Sequence, residues 1–251
     1  MMKTTERHRD ETFVRQMFAA VADRYDLMNT LLTLNLDAYW RRRAVFHSGL
    51  QRGQIALDVC CGTGKLTLQL ARKVGPEGSV VGVDFSSAML ARAQANLHGT
   101  PYLPVVQYLE ANALHLPFPD HRFHCSTIGF GLRNVSDIAQ TLKEMIRVTK
   151  PGGTIVILEL AKPRLPILKQ CYHLYANYWL PAIGNLGPQR HRLYQMVPES
   201  LKTLPEPEEI CLLLRNLNLS AVRCRRLSGG LVAVYTGYKD PAPFSSVRTA
   251  T

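Results

Sequence analysis

The sequence predicts an α/β fold: a mostly parallel sheet with helices on both faces, closed at the carboxyl end by an antiparallel hairpin. From Ile55 to Glu159 short apolar runs alternate with stretches of helical spacing, the rhythm of strands joined by crossover helices. After residue 206 a helix is followed by two β-rich runs separated by Ser228-Gly229-Gly230, a hairpin turn signal. That terminal hairpin separates this layout from ordinary dinucleotide folds.

Residues 9–50 read as helical, with apolar residues at Phe13, Met17, Phe18 and Val21, then at Leu27, Met28, Leu31 and Leu32. They form an N-terminal helical cap, residues 1–50. Ile55–Val59 is a strand, and Lys65–Val74 places apolar residues at 66, 68, 70, 71 and 74, a helical spacing. Val80–Val83 is a second strand, and Ser86–Leu97 a helix opening on an N-cap serine. Val105–Leu109, Phe123–Ile128 and Thr154–Leu158 read as further strands. A helix over Asp137–Val148 ends before the stop signal Lys150-Pro151-Gly152-Gly153. A helix over Pro207–Asn218 and strands over Ala221–Arg226 and Leu231–Tyr238 bring the strands to seven. The main domain therefore spans 51–240, with an aromatic and proline-rich insert at 162–206 and a frayed tail at 241–251.

With 251 residues the chain can make one large domain or one domain with an appended sub-domain, and its 46% hydrophobic and 20% charged residues are globular in balance. The net charge of +11 suits an anionic partner, whether nucleic acid, membrane surface or acidic metabolite, or serves solubility alone. The first ten residues are polar, without the apolar core of a targeting signal. No apolar run approaches the ~18–20 residues that span a bilayer, so a cytoplasmic location is expected. Six cysteines show no CxxC and no metal spacing; all read as free thiols, and no metal is expected.

The sharpest local signal is Asp58-Val59-Cys60-Cys61-Gly62-Thr63-Gly64, between a strand and a helix. Glycines there let the backbone pass close to a ligand at the carboxyl edge of the sheet. A dinucleotide fingerprint needs a small residue where Thr67 stands. A P-loop needs glycine at Val59 and Ser or Thr at Leu66. Both phosphate-cradling readings fail. Asp84 closes the second strand, where a carboxylate can accept both ribose hydroxyls of a nucleoside; otherwise it is a helix N-terminal acid ahead of Ser86. Glu110-Ala111-Asn112-Ala113 follows the third strand, where an adenine would lie. Together these suit S-adenosyl-L-methionine, with Asp58, Gly62, Gly64 and Asp84 building the site; the third-strand turn by itself is only a loop.

The chain resembles the ubiquinone/menaquinone biosynthesis C-methyltransferase family, and is most similar to its menaquinone-type members. The resemblance begins at Met17-Phe18 and Tyr25-Asp26-Leu27-Met28-Asn29 and runs through the cofactor loop and Leu116-Pro117-Phe118. It continues through Ile128-Gly129-Phe130-Gly131-Leu132-Arg133-Asn134-Val135, Lys150-Pro151-Gly152-Gly153, Glu159, Lys162-Pro163, Tyr194 and Pro198-Glu199-Ser200. It implies a class I, Rossmann-like methyltransferase fold and methylation of the quinol ring carbon of 2-demethylmenaquinol. A ubiquinone-pathway benzoquinol is the alternative. Gly129, where ubiquinone-type members often carry serine, and the vicinal Cys60-Cys61 lean towards the menaquinone branch. Cofactor contacts carry over onto Thr63, Asp84, Asn112 and Ala113, and Gly129 can offer only its backbone.

Methyl transfer from a sulfonium is an in-line displacement, so the protein must align the ring carbon and favour the electron-rich quinol. Arg133, after the fourth strand, either stabilises a developing phenolate or pairs with Asp26 or another acid. Tyr25 and Asp26 either close the site or only cap and pack, and Asn134 caps the next helix. The aromatic stripe at 168–183 is either core or a greasy path for an isoprenoid tail. The partners implied are an isoprenoid quinol and S-adenosyl-L-methionine, with peripheral contact at the inner face of the membrane and a homo-oligomer left open. Methylation of a nucleic acid is disfavoured, because Gly129-Phe130-Gly131-Leu132 stands where an N/D-P-P-Y/F tetrapeptide belongs.

Overall fold

The computed structural model describes residues 11–161 and 204–241. The 168–183 stripe, Cys171 and the frayed tail beyond Pro241 lie outside the described residues. Seven strands form one sheet in the order β3-β2-β1-β4-β5-β7-β6. They are β1 (Ile55–Val59), β2 (Ser79–Asp84), β3 (Val106–Glu110), β4 (Phe123–Gly129), β5 (Thr149–Leu160), β6 (Leu219–Leu227) and β7 (Val232–Lys239). The first five pair in parallel, and β7 runs antiparallel to both neighbours. The helices are α1 (Glu11–Leu32), α2 (Leu36–His47), α3 (Lys65–Val74), α4 (Ser87–Leu97), α5 (Ile138–Val148) and α6 (Pro207–Asn216).

Strand alternation divides the core in two. Leu57, Val59, Val81, Val83 and Ile128 pack on one face with Leu142 and Met145 of α5 and Ile210 of α6. Ala56, Val80, Cys125 and Val156 pack on the other with Trp40 and Ala44 of α2 and Leu70 of α3. Asp58 shares the parity of Ala56 and Thr127 that of Cys125, so both polar side chains face the α3 layer.

The helix starts follow from local chemistry. Ser86 Oγ accepts from the Met89 amide at 3.4 Å, as the serine cap predicts. Asp137, rather than Asn134, caps α5 by accepting from the Gln140 amide at 2.9 Å. Asn134 instead ends a short 3₁₀ turn, Leu132–Asn134. The helical reading of 9–50 breaks at Leu34 and Asn35, whose φ values of 49° and 63° cannot continue a helix.

α5 ends at Val148, ahead of Lys150–Gly153 as expected, but the strand predicted to begin at Thr154 begins earlier and takes that segment in. β5 begins at Thr149, and its register against β4 shifts between Phe123 and Cys125. Gly152 takes φ +81°, and a Cβ on Gly153 would lie 2.7 Å from the His124 carbonyl oxygen. The Pro-Gly-Gly run thus forms a bulge inside the strand rather than a turn before it.

Candidate functional site

Strand order reverses between β1 and β4, and the open crevice at such a reversal is where parallel sheets bind ligands. A cleft of about 990 Å³, counting the part open to solvent, lies over the carboxyl ends of β1, β2 and β4.

The β1–α3 loop is tied down by its own backbone. The Cys61 amide donates to the Val83 carbonyl at 2.9 Å and the Gly64 amide to the Cys61 carbonyl at 3.0 Å. Cys60 sits at φ 53°, a left-handed conformation that costs a non-glycine residue about 1 kcal/mol or more. The two loop glycines do different work. Gly62 (φ +55°) lines the cleft with nothing near its missing Cβ, whereas a Cβ on Gly64 would lie 2.0 Å from Tyr108 Oη. Gly64 therefore makes room for the Tyr108 ring and does not line the cleft.

Asp58 is buried, and its two carboxylate oxygens accept from Thr67 Oγ1 at 2.7 Å and Thr127 Oγ1 at 2.8 Å. Thr67, which breaks the dinucleotide fingerprint, is one of the residues that fix this carboxylate. Burial pushes Asp58 up to about 6, against the pull of its two threonine donors. Asp84 accepts from the Gly62 amide at 2.8 Å and the Ser86 amide at 3.0 Å. It too is pushed up to about 6 by burial, despite those backbone donors. A carboxylate offers about four lone-pair sites, so Asp84 keeps capacity on the cleft side. It serves both as the acid ahead of Ser86 and as an open acceptor.

Helix α1 crosses this edge. Glu11, Phe18 and Tyr25, seven residues apart, all line the cleft, as one stripe of a helix should. Glu11 receives the Asn112 amide at 3.2 Å and the Ser136 hydroxyl at 3.0 Å. The Asn112 side-chain oxygen accepts from the Leu114 amide at 2.9 Å. Asn112, Ala113 and Gly129 line the cleft. A Cβ on Gly129 would lie 2.9 Å from Leu66 Cδ2, so only its backbone is offered.

Asp26 lies beside the cleft rather than on its wall. It accepts from Thr63 Oγ1 at 2.7 Å and Asn96 Nδ2 at 3.0 Å, with Lys65 Nζ 3.6 Å away. Asn96 also donates to the Thr63 carbonyl at 3.0 Å. Asp26 thus fastens α1 to the loop, and Thr63, which lines the cleft, gives its hydroxyl proton to that fastening and keeps its oxygen as an acceptor.

Arg133 is also off the cleft wall. Its Nη1 pairs with Glu159 Oε1 at 2.5 Å and donates to the Phe130 carbonyl at 2.9 Å. Glu159, fully buried, accepts the Arg133 and Leu160 amides as well. The acid that the sequence left unnamed for Arg133 is Glu159, and the pair holds the β4 tip, where Phe130 sits at φ 59°. The cations on the wall are Arg41 and Lys65. Arg41 pairs with buried Asp37 and lies 5.4 Å from the Phe130 ring centroid. Arg41, Glu11 and Phe130 were missed as site residues. The heptad spacing of Glu11, Phe18 and Tyr25 is a usable signal for the first, Phe130 stands inside the Ile128–Val135 segment, and Arg41 opens the Arg41–Arg43 run.

Comparison with known proteins agrees with this geometry. The sequence model of the ubiE/COQ5 methyltransferase family matches residues 2–239. A protein of Desulfitobacterium hafniense named demethylmenaquinone methyltransferase is 40% identical over 227 residues, 90% of each chain. A Yersinia enterocolitica protein named ubiquinone/menaquinone biosynthesis C-methyltransferase UbiE is 38% identical over 94% of each chain. Among solved structures, a SAM-dependent methyltransferase from Aquifex aeolicus superposes with TM-score 0.58 at 20% identity, covering 81% of this chain and 91% of that one. At that identity the likeness concerns the fold.

Proposed function

The chain belongs to the ubiE/COQ5 methyltransferase family and is an S-adenosylmethionine-dependent methyltransferase, and from that premise we propose that it methylates the quinol ring carbon of 2-demethylmenaquinol. The observation that carries the substrate is the alignment, over nine-tenths of both chains, with a relative named for demethylmenaquinone. A benzoquinol is the second reading, favoured by the dual name of the Yersinia relative.

The cleft fits the cofactor. Asp84, at the tip of β2, has unused acceptor sites for two hydroxyls, and Asn112 and Ala113 line the wall beyond it for the base. When bound, S-adenosylmethionine supplies a methyl already activated by sulfonium charge. The rest is done by this chain. Asp84 holds the ribose, each charge-assisted bond contributing roughly 1.5–3 kcal/mol. Asp58 fixes the loop beneath, and Gly62 and Gly129 offer backbone where no side chain intrudes. Asp26 positions Thr63 and α1. Tyr25, Phe18 and Phe130 form an apolar wall against which the ring lies and from which water is excluded. Arg41 and Lys65, each paired with a carboxylate, are the cationic hydrogen-bond donors on that wall for the ring oxygens of the electron-rich form. Arg133 is a positioning residue that fixes Phe130 through Glu159.

The quinol carries an apolar isoprenoid tail and resides in lipid, so the enzyme works as a peripheral protein at the membrane surface. No described helix is long and apolar enough to cross a membrane. Purified protein with methyl-labelled cofactor and matched naphthoquinol and benzoquinol substrates tests the reading. Label is expected in the naphthoquinol ring, and label in the benzoquinol alone would move the enzyme to the second substrate. Transfer to tRNA or rRNA without transfer to either quinol would overturn both.

A further inference from the structure

Helix α2 is amphipathic in an unusual sense. Its inward face carries Asp37, Trp40, Arg41 and Ala44, all buried. Its outward stripe carries Leu36, Tyr39, Arg43 and Phe46, spaced three, four and three residues apart and so on one side. Phe46 is 68% exposed, and Tyr39 and Leu36 are exposed too. The end of α1 and the turn after it add Leu27, 60% exposed, Leu31 one turn on, and Leu34, 83% exposed. Six of the ten large exposed apolar side chains among the described residues fall between 27 and 46. That concentration separates the patch from the scattered apolar residues of an ordinary surface.

The charge that α2 itself presents outward has one sign. Between residues 27 and 50 the sole acid is Asp37, which is buried and paired with Arg41, with Lys65 Nζ 3.7 Å away. Arg42 is exposed, and the Arg43 guanidinium lies 4.9 Å from the Phe46 ring centroid. Arg43 Nη2 lies 3.3 Å from His47 Nε2, and Arg225 of β6 adds its charge at the same histidine. The exposed Phe46 ring thus sits against the Arg43 guanidinium, with Arg42 exposed on the same helix.

We propose that the outward face of α2, with the Leu27–Leu34 corner, is the surface by which this enzyme docks on an anionic lipid bilayer. The apolar residues enter the headgroup boundary while Arg42, Arg43 and Arg225 meet lipid phosphates, the pattern of an interfacial helix. Two copies pairing face to face through this patch would set arginine against arginine. The location also suits the chemistry, since Asp26, one residue before Leu27, is bonded to Thr63 of the cofactor loop. The choice of lipid rather than another anionic surface rests on the isoprenoid-quinol reading above.

The test is sedimentation of the full chain with vesicles of phosphatidylglycerol and phosphatidylcholine, and with phosphatidylcholine alone. The wild type is expected to sediment with the anionic vesicles and to be released by salt. Leu34→Glu/Phe46→Glu and Arg42→Glu are each expected to weaken that partition roughly tenfold or more. Leu212→Glu, which alters an exposed apolar residue of α6, is expected to partition like wild type. In vesicle-free solution the double variant is expected to methylate a tailless naphthoquinol at the wild-type rate. Wild-type protein that ignores anionic vesicles, or a double variant that binds them as well as wild type, overturns the docking surface. So does a double variant whose only change is loss of a dimer on gel filtration. Failure of the wild type to methylate any naphthoquinol would instead overturn the substrate reading and leave the vesicle result standing.

Discussion

The two sides of the strand reversal are built from the same materials and use them in opposite ways. On the β1–β2 side two buried carboxylates accept hydrogen bonds from neutral donors, threonine hydroxyls at Asp58 and backbone amides at Asp84. On the β4–β5 side a buried carboxylate, Glu159, is neutralised by Arg133 and saturated by two amides. The first arrangement keeps its charge uncompensated by a cation and, at Asp84, leaves lone pairs open to the cleft, which is what binding a cationic, hydroxyl-bearing ligand requires. The second uses its charge up internally and supplies rigidity. A buried charge in a site is therefore functional when its partners leave it unfinished, and structural when they complete it.

The largest effect is expected on the completed side. Arg133→Ala strips buried Glu159 of its cation, and breaking such a pair costs about 3–5 kcal/mol, read as a shift in the chemical denaturation midpoint. Arg133→Met/Glu159→Met should recover most of that stability, since an apolar pair of similar volume removes the stranded charge. Turnover should fall with both, because the Phe130 tip is released in either case. A stable Arg133→Ala protein that binds cofactor and turns over slowly would return the guanidinium to the ring.

Next comes the unfinished side. Asp84→Asn removes the charge but keeps the shape, and cofactor affinity should drop tenfold or more, the equivalent of at least one charge-assisted bond of roughly 1.5–3 kcal/mol. Titration calorimetry reads it, and unchanged affinity would reduce Asp84 to the helix-capping role. One of the two backbone amides loses its acceptor, so the denaturation midpoint should fall by the equivalent of about 1–3 kcal/mol, less than for Arg133→Ala.

The same asymmetry has a pH signature. Asp58 and Asp84 are both raised from 3.8 to about 6 by burial. A folded-state value above the unfolded one means that the native chain holds its protons longer. Their contribution to stability is thus fully present below about pH 4 and is lost as pH rises through about 6. Ribose hydroxyls favour the ionised form, so cofactor affinity should fall in the opposite direction, from pH 7 to pH 5. The fall should be absent in Asp84→Asn, and an equal fall in the variant would place the titrating group elsewhere.

What the sequence disclosed divides along the same line. The strands, the Ser86 cap and the Asp84 position were legible because each depends on local spacing and neighbouring residue types. Glu159 could not be matched to Arg133, nor Arg41 to Phe130, because those contacts join residues far apart in the chain through the sheet. The Lys150–Gly153 run marked the helix end correctly, but the early start of β5 was hidden for a physical reason. Glycines that break a helix also permit a bulge, and only the pairing with β4 decides between them. Gly64 misled similarly, since its partner Tyr108 comes from another strand.

The smallest effect is expected at the residue that looks most reactive. Cys60 borders the cleft in a strained conformation, and an exposed thiol there would invite a nucleophilic role. Burial pushes the Cys60 and Cys61 thiols well above their ordinary value, and the nearby carboxylates of Asp84 and Asp58 push them further. A thiol in that state is neither nucleophile nor general base near neutral pH. Cys60→Ala should therefore keep turnover within about twofold of wild type, and stability within about 1 kcal/mol, since a small half-buried residue is replaced by a smaller one at an unchanged φ. A folded Cys60→Ala protein with abolished methyl transfer would mean that the carboxylates beside it do not control its protonation, and the contrast between the two sides of the reversal would then need a third, thiol-based element.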